Sequence, residues 1–262
     1  MLYERNYLEL TEQEKSELEK AKKPFSSDSG GVIIDYEKMP KAAFFYESLF
    51  PNNMLDIDEL MISDRTTRIL SDFRSLIDSR ASTERDILNF IKSNRAYFII
   101  ASVLVDFHFG HHVAYAFPEF ELPPDYRVDY LIIGKSSYGH EFVFVELENP
   151  YNSITVKDGG LGSTFRKGIK QLSDWNNWIE SNFNHLQLMF EKFKGTTCEF
   201  PEEFRKLDTT RMHYITVAGR RTDFNEVTYR MARKMMSDRF RILHYDNLLD
   251  KAEQVIGNGN YV

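Results

Sequence analysis

The chain has 262 residues and a mass of 30.8 kDa, with 42% hydrophobic, 14% aromatic and 28% charged residues, enough for a substantial core in one or two domains. Its 21 phenylalanines exclude a disordered chain, its single cysteine, Cys198, excludes a disulfide framework or a Cys-based zinc module, and the lack of a run of about 18 apolar residues excludes a transmembrane helix. The net charge of −7 argues against a general polyanion coat, yet residues 151–262 carry 17 Lys and Arg against 14 Asp and Glu, a net of +3, which leaves −10 on residues 1–150.

The opening MLYERNYLELTEQEK lacks the apolar core of a signal peptide, so a cytoplasmic protein is expected. Residues 11–22 read as a short charged helix, and PFSSDSGG at 24–31 as a breaker cluster. Residues 40–80 read as helical, with Phe44, Phe45, Leu49, Ile62, Ile69, Leu70, Phe73 and Leu76 as the apolar positions. No chemistry-bearing motif falls here, so residues 1–78 are expected to form a helical extension that regulates or assembles a domain at 79–262.

Thr83 with Asp86 three residues on predicts a capped helix over 83–94. Strand-like runs follow at 113–121, 126–133 and 141–148, and KSSYGH with Gly139 predicts an antiparallel hairpin between the last two. GGLGS at 159–163 is a loop. The apolar spacing of Phe165, Ile169, Leu172, Trp175, Ile179 and Phe183 predicts an amphipathic helix over 164–183, with Trp175 and Trp178 as core or interface residues. A strand at 213–218, a basic helix at 223–237, a strand at 241–245 and a final helix capped by Asp246 complete an α/β plan.

The chemistry concentrates in 124–171. Asp129 interrupts an apolar strand, and Glu146 and Glu148 end the next one. Strand periodicity puts both glutamates on one face with Phe142 and Phe144, and turns Val143, Val145 and Leu147 the other way. Three carboxylates at the ends of paired strands repel unless a cation lies between them. Mg²⁺ suits such oxygen donors: Asp129, Glu146 and the Leu147 carbonyl would ligate, and Glu148 would serve a second metal or act as base. Asp125 is a competing first acid, but it follows two prolines and belongs to the turn. Gln171 lies on the following helix with Lys167 and Lys170, whose N-terminus near Ser163 and Thr164 suits a phosphate. Glu84 could complete the acidic group or serve its helix dipole. Gly219-Arg220-Arg221 after a strand could hold a phosphate backbone or be a plain turn. Weaker signals are a zinc reading of His108, His111 and His112, and a P-loop ending at Gly134-Lys135-Ser136 that lacks its leading glycine.

In order, TERDILNFIKSN, YRVDYLII, FVFVELENP, the Gly/Ser loop, GIKQLSDWNNWIESN, ITVAGRR and RFRILHYDNLL resemble the PD-(D/E)XK nuclease superfamily, and within it the Shedu-type defence nucleases of prokaryotes. The resemblance covers roughly 79–250. It implies a restriction-endonuclease-like core, a mixed central sheet flanked by helices, and Mg²⁺-dependent (or Mn²⁺-dependent) endonucleolytic cleavage of DNA in anti-phage defence by a homo-oligomer. The family's first acid then maps to Asp129, its second to Glu146, its helix glutamine to Gln171 and its N-terminal helix acid to Glu84. Arg166, Lys167, Lys170, Arg220 and Arg221 are the candidate DNA contacts. The departure is Glu148, where the motif usually has lysine; Lys167 or Lys170 could reach in from the helix instead. Two rivals follow: a degenerate module that binds DNA or a protein without cutting, and a metal-free carboxylate-pair hydrolase acting on a sugar.

Overall fold

A computed structural model of the chain describes residues 1–24, 32–34, 39–236 and 239–261. The breaker cluster expected at 24–31 lies outside them from residue 25 on, as does the last residue of the expected basic helix, Ser237. The N-terminal region comprises α1 (Glu12–Ala21), the short antiparallel pair β1 (Lys22–Pro24) and β2 (Val32–Ile34), α2 (Lys41–Tyr46), α3 (Asp58–Met61) and α4 (Ser63–Asp78). Then come α5 (Glu84–Asn94), α6 (Tyr97–Ala101), β3 (Val113–Leu122), β4 (Tyr126–Ser136) and β5 (Gly139–Leu147). The chain finishes with α7 (Ser163–Glu191), β6 (Met212–Val217), α8 (Glu226–Met236), β7 (Phe240–Leu243) and α9 (Tyr245–Val255).

Five strands form one mixed sheet in the order β3-β4-β5-β6-β7, antiparallel through β5 and parallel beyond it. The expected β4–β5 hairpin forms around Gly139, whose φ of +100° only glycine adopts without strain. Both sheet faces are covered, so β5 is apolar almost throughout. Val143, Val145 and Leu147 pack in one cluster with Ile99, Ile215 and Leu248. Phe142 and Phe144 pack in the other, with Leu172, Trp175 and Tyr214. The two predicted faces of β5 are therefore the two real ones.

The 29-residue α7 outruns its expected end at 183. Its apolar stripe continues through Leu186, Met189 and Phe190, and a kink at Asn182 re-aims it. There the side-chain amide donates to the Trp178 carbonyl at 2.9 Å, breaking into the helical ladder. Helix α5 begins as its sequence predicts, with Thr83 and Asp86 each bonding the other's backbone N–H. Helix α9 does not: its cap is His244, whose ring nitrogen accepts the Asn247 N–H, and Asp246 lies inside the first turn.

The expected boundary at 78/79 is not a break in packing. Phe45, Leu49, Phe50 and Met54 sit in the same cluster as Tyr115, Phe117 and Phe190. Leu60, Leu70, Phe73 and Ile77 sit with Ile87, Ile99 and Leu248. The segment before α3 also covers the edge of β3: the Leu55 N–H donates to the Ala114 carbonyl, and the Ala116 N–H to the Asn53 carbonyl, both at 2.9 Å. The N-terminal residues are part of both cores because each sheet face needs a cover that 79–262 does not fully supply. Among the described residues no helix is long and apolar enough to cross a membrane.

Candidate active site

The β4–β5 ladder runs from Ser136 and Gly139 to its last pair, Tyr130 and Val145. One step further stand Asp129 and Glu146. The other neighbour of β4 is disturbed at the same place: Pro118 and Phe120 pair with Tyr130 and Val128, while Glu119 between them takes a φ of +51°. Asp129 thus sits where regular pairing fails on both sides. Its carboxylate accepts the Leu147 N–H at 2.8 Å, bonding across the gap where the ladder stops. Asp125 lies exposed before the strand, outside this arrangement.

Glu146 and Glu148 are 4% and 3% exposed. Glu148 follows the strand end, its N–H held by the Val217 carbonyl at 2.8 Å and its own carbonyl by the buried Tyr245 hydroxyl at 2.7 Å. Burial raises the Asp129 carboxyl well above the usual range, the Leu147 N–H opposes this, and the charges of Glu84 and Glu148 add to it. Burial also raises Glu146, and Asp129 and Glu148 push it further. Glu148 is raised less, because Lys167 offsets its burial. Burial is the leading cause for all three, and repulsion between neighbouring carboxylates adds to it.

Helix α7 brings a cation to the group. Lys167 Nζ lies 2.9 Å from Glu148 Oε1 and 3.0 Å from Oε2, with hydrogen-bond geometry only to the latter. Lys170 points elsewhere, to Asp174 at 3.3 Å, and is 79% exposed. Close approach of the helix depends on Gly168, where an added Cβ would meet Thr216 Oγ1 at 2.3 Å and Glu148 Cγ at 3.3 Å. Gln171 is four residues beyond Lys167, hence on the same helix face. Its Oε1 is buried and has no hydrogen-bond partner among the described residues, and the same holds for Thr216 Oγ1.

In front of Glu148 lies an open cleft of about 590 Å³ lined by Thr83, Glu84, Arg85, Asn149, Asn152, Ser163, Thr164 and Lys167. Glu84 lines the same cleft, at the start of α5. Helix α7 enters the cleft at its N-terminus with no side-chain cap and no acid in its first turn, leaving its positive pole uncompensated. Sequence reading missed Arg85, Asn149, Asn152 and Tyr245. Arg85 was legible as the neighbour of Glu84; the others act through a loop and a distant helix that strand periodicity does not reveal.

The basic candidates divide. Arg166 is exposed on the first turn of α7 and makes no ion pair among the described residues. Arg220 turns its guanidinium to partners within the chain. It binds Asp246 through two nitrogens at 3.1 and 2.9 Å, Asp78 at 2.9 Å, and the Ile77 carbonyl at 2.6 Å. With its donors engaged on three sides, Arg220 acts as a tie within the chain. Arg221 is half exposed and paired with Asp250. His111 and His112 lie side by side at the surface with their rings tilted at 54°, and Gly134-Lys135-Ser136 lies inside β4, not in a phosphate loop.

The donors around Asp129, Glu146 and Glu148 are hard oxygens, the kind Mg²⁺ takes, and their raised proton affinity is what a cation would relieve. Asp129 and Glu148 are meanwhile turned to Leu147 and Lys167. Among the described residues no three His, Cys, Asp or Glu are drawn into a ready metal cage. The donor chemistry fits the ion, and the side chains must regroup to hold it.

No curated protein and no solved structure matches the chain. The family model described as Shedu protein SduA, C-terminal, matches residues 81–249. That stretch is more than half of the chain and contains all four acids, Lys167 and Gln171. The chain therefore belongs to the Shedu SduA C-terminal family.

Proposed function

We propose that the protein is a metal-dependent DNA endonuclease of the PD-(D/E)XK kind with a restriction-endonuclease-like core, acting in anti-phage defence. The observation that carries this reading is the group of half-buried Asp129 with buried Glu146 and Glu148, Lys167 from α7 standing at its third member. Family membership supports the defence role. Asp129, Glu146 and the Leu147 carbonyl would hold Mg²⁺ or Mn²⁺. When bound, such an ion lowers the pKa of water and offsets charge on a phosphate.

The chain's own groups do the rest. Glu148 accepts a proton from the attacking water. Lys167, displaced from Glu148, offers its ammonium to charge developing on the phosphate, in place of the lysine the motif usually carries. Gln171 orients water or phosphate through its carboxamide, whose oxygen has no partner among the described residues. Arg85, Arg166 and the N-terminus of α7 steer the DNA backbone. The test is nicking of supercoiled and linear DNA with Mg²⁺ or Mn²⁺ against EDTA, with Glu146→Ala alongside. Metal-dependent cutting lost in the variant supports the reading; no cutting with any metal sinks it.

A second reading is a module that keeps the fold and binds DNA or a protein without chemistry. The Lys167–Glu148 pair and the absence of a ready cage among the described residues favour it. Calorimetry separates the two: a nuclease takes up Mg²⁺ at a site that Glu146→Ala removes, and the module does not.

A further inference from the structure

From sequence Arg220 is a candidate phosphate contact or part of a plain turn, and the partners it has in the fold raise a different question: what does it hold? Its guanidinium joins three parts of the chain. It binds Asp246 in the first turn of α9, Asp78 and the Ile77 carbonyl in the last turn of α4, and the Tyr151 hydroxyl at 3.0 Å. The Tyr151 hydroxyl in turn donates to the same Ile77 carbonyl. Tyr151 belongs to the loop that leaves Glu148. That loop is an Asx turn, with the Asn149 carboxamide oxygen accepting the Tyr151 N–H at 2.8 Å and the Asn152 N–H at 3.0 Å. The loop then runs into the start of α7, where the Ser153 carbonyl accepts the Thr164 N–H at 3.1 Å. Glu148, Asn149, Asn152 and Thr164 all line the cleft.

We infer that Arg220 is the positioning residue of this cleft: with Tyr151 it fixes the loop 149–152 against the last turn of α4, and so sets where Glu148 and Asn152 stand. The inference rests on the nuclease reading for its catalytic consequence, and on geometry alone for the loop. The guanidinium suits the task because its planar donors bond in several fixed directions at once, which an ammonium cannot do. The arms differ in strength. Asp246 is 18% exposed and bonds two nitrogens, whereas Asp78 is 57% exposed and bonds one. The anchor is thus α9, and the α4 arm is the weaker contact. A shift of α4, which belongs to the region outside the family match, moves the loop through the Ile77 carbonyl that Arg220 and Tyr151 share.

The experiment follows amide hydrogen exchange in the full-length protein, comparing wild type, Tyr151→Phe and Arg220→Lys. Tyr151→Phe deletes only the hydroxyl, and Arg220→Lys keeps the charge while losing the fork, so both fold. Exchange of the Tyr151 and Asn152 amides should rise about tenfold in each, while the amides of Trp175 and Trp178 in α7 stay unchanged. Cleavage of supercoiled DNA with Mg²⁺ should lose kcat by about the same factor at constant KM. Unchanged exchange at Tyr151 and Asn152 overturns the inference. So does an equal rise at all four amides, which marks Arg220 as a general structural pin. If wild type neither binds Mg²⁺ nor cuts DNA, the nuclease reading has failed, and the exchange pattern still decides the positioning.

Discussion

Lys167 and Glu146 show how differently two residues of one site weigh on stability and on activity. Lys167 is 59% exposed, so water replaces much of what it gives Glu148 and the pair is a weak contributor to folding. Lys167→Met should therefore shift the thermal midpoint by only a few degrees. Under the proposed chemistry it removes the one ammonium aimed at the phosphate, so cleavage should fall by about 10²–10³. Equal losses of stability and of activity would count against that role. Glu146 works the other way. Its proton affinity, like that of Asp129, is higher folded than unfolded. The stability each contributes is complete below the unfolded carboxylate value, near pH 4, and is lost as pH climbs through the raised folded value. Melts in EDTA should show a decline from about pH 5 into the alkaline range, and Glu146→Gln should flatten it, gaining about 1–2 kcal/mol at pH 8. Mg²⁺ should restore wild type and leave the variant unmoved. No decline with pH would show that the carboxylates are not held neutral.

At the scale of elements, close approach matters more than propensity. By helix propensity alone, Gly168→Ala in α7 would gain about 1 kcal/mol. The contact at 2.3 Å from Thr216 Oγ1 decides otherwise, since overpacking a tight contact costs about 1–3 kcal/mol. Gly168→Ala should lower the midpoint, and Thr216→Ala in the same chain should recover part of the loss. The start of α9 carries a pH dependence of opposite sign to that of the site. Burial holds the His244 imidazole down at about 4, and the neutral ring caps the helix while packing against Phe224. A histidine with a depressed folded value contributes stability above its unfolded value, and loses it as pH falls from about 6.5 through 4. His244→Asn keeps a capping side chain without the titration, so the slope of stability over that window should shrink, whatever the packing loss does to its height. Unfolding titrations at four or five pH values would show it.

The whole molecule is one packing unit across the family boundary. Residues 45–54 complete the core on one face of the sheet and residues 55–77 the core on the other. Removing residues 1–78 would expose Tyr115 and Phe117 on one side and open the cluster that holds Ile99 and Leu248 on the other. The truncated chain should show no cooperative melt, whereas an independently folded nuclease domain would keep one. The N-terminal region looked separable in sequence because its residues carry no chemistry and its helices are short. Its burial is a property of the sheet faces it covers, and no local pattern states which face a distant helix will meet.

Some features of this protein are set by order along the chain and some by juxtaposition in space. Alternation along 141–148 fixes the two faces of β5, because side chains in a strand point alternately whatever they pack against. The Thr83–Asp86 cap and the glycine turn at 139 are likewise local, and both stand as the sequence states them. The acids Asp129, Glu146 and Glu148 were legible because charge inside an apolar strand is costly, so it marks a site. Which cation answers them was not legible. Lys167 and Lys170 differ by three residues on one helix, and only the rotation of α7, set by Gly168 against Thr216, selects the first. Arg220 reads from sequence as a surface basic residue after a strand. Asp78, Tyr151 and Asp246 reach it from three distant parts of the chain, and only the folded structure makes it an internal tie.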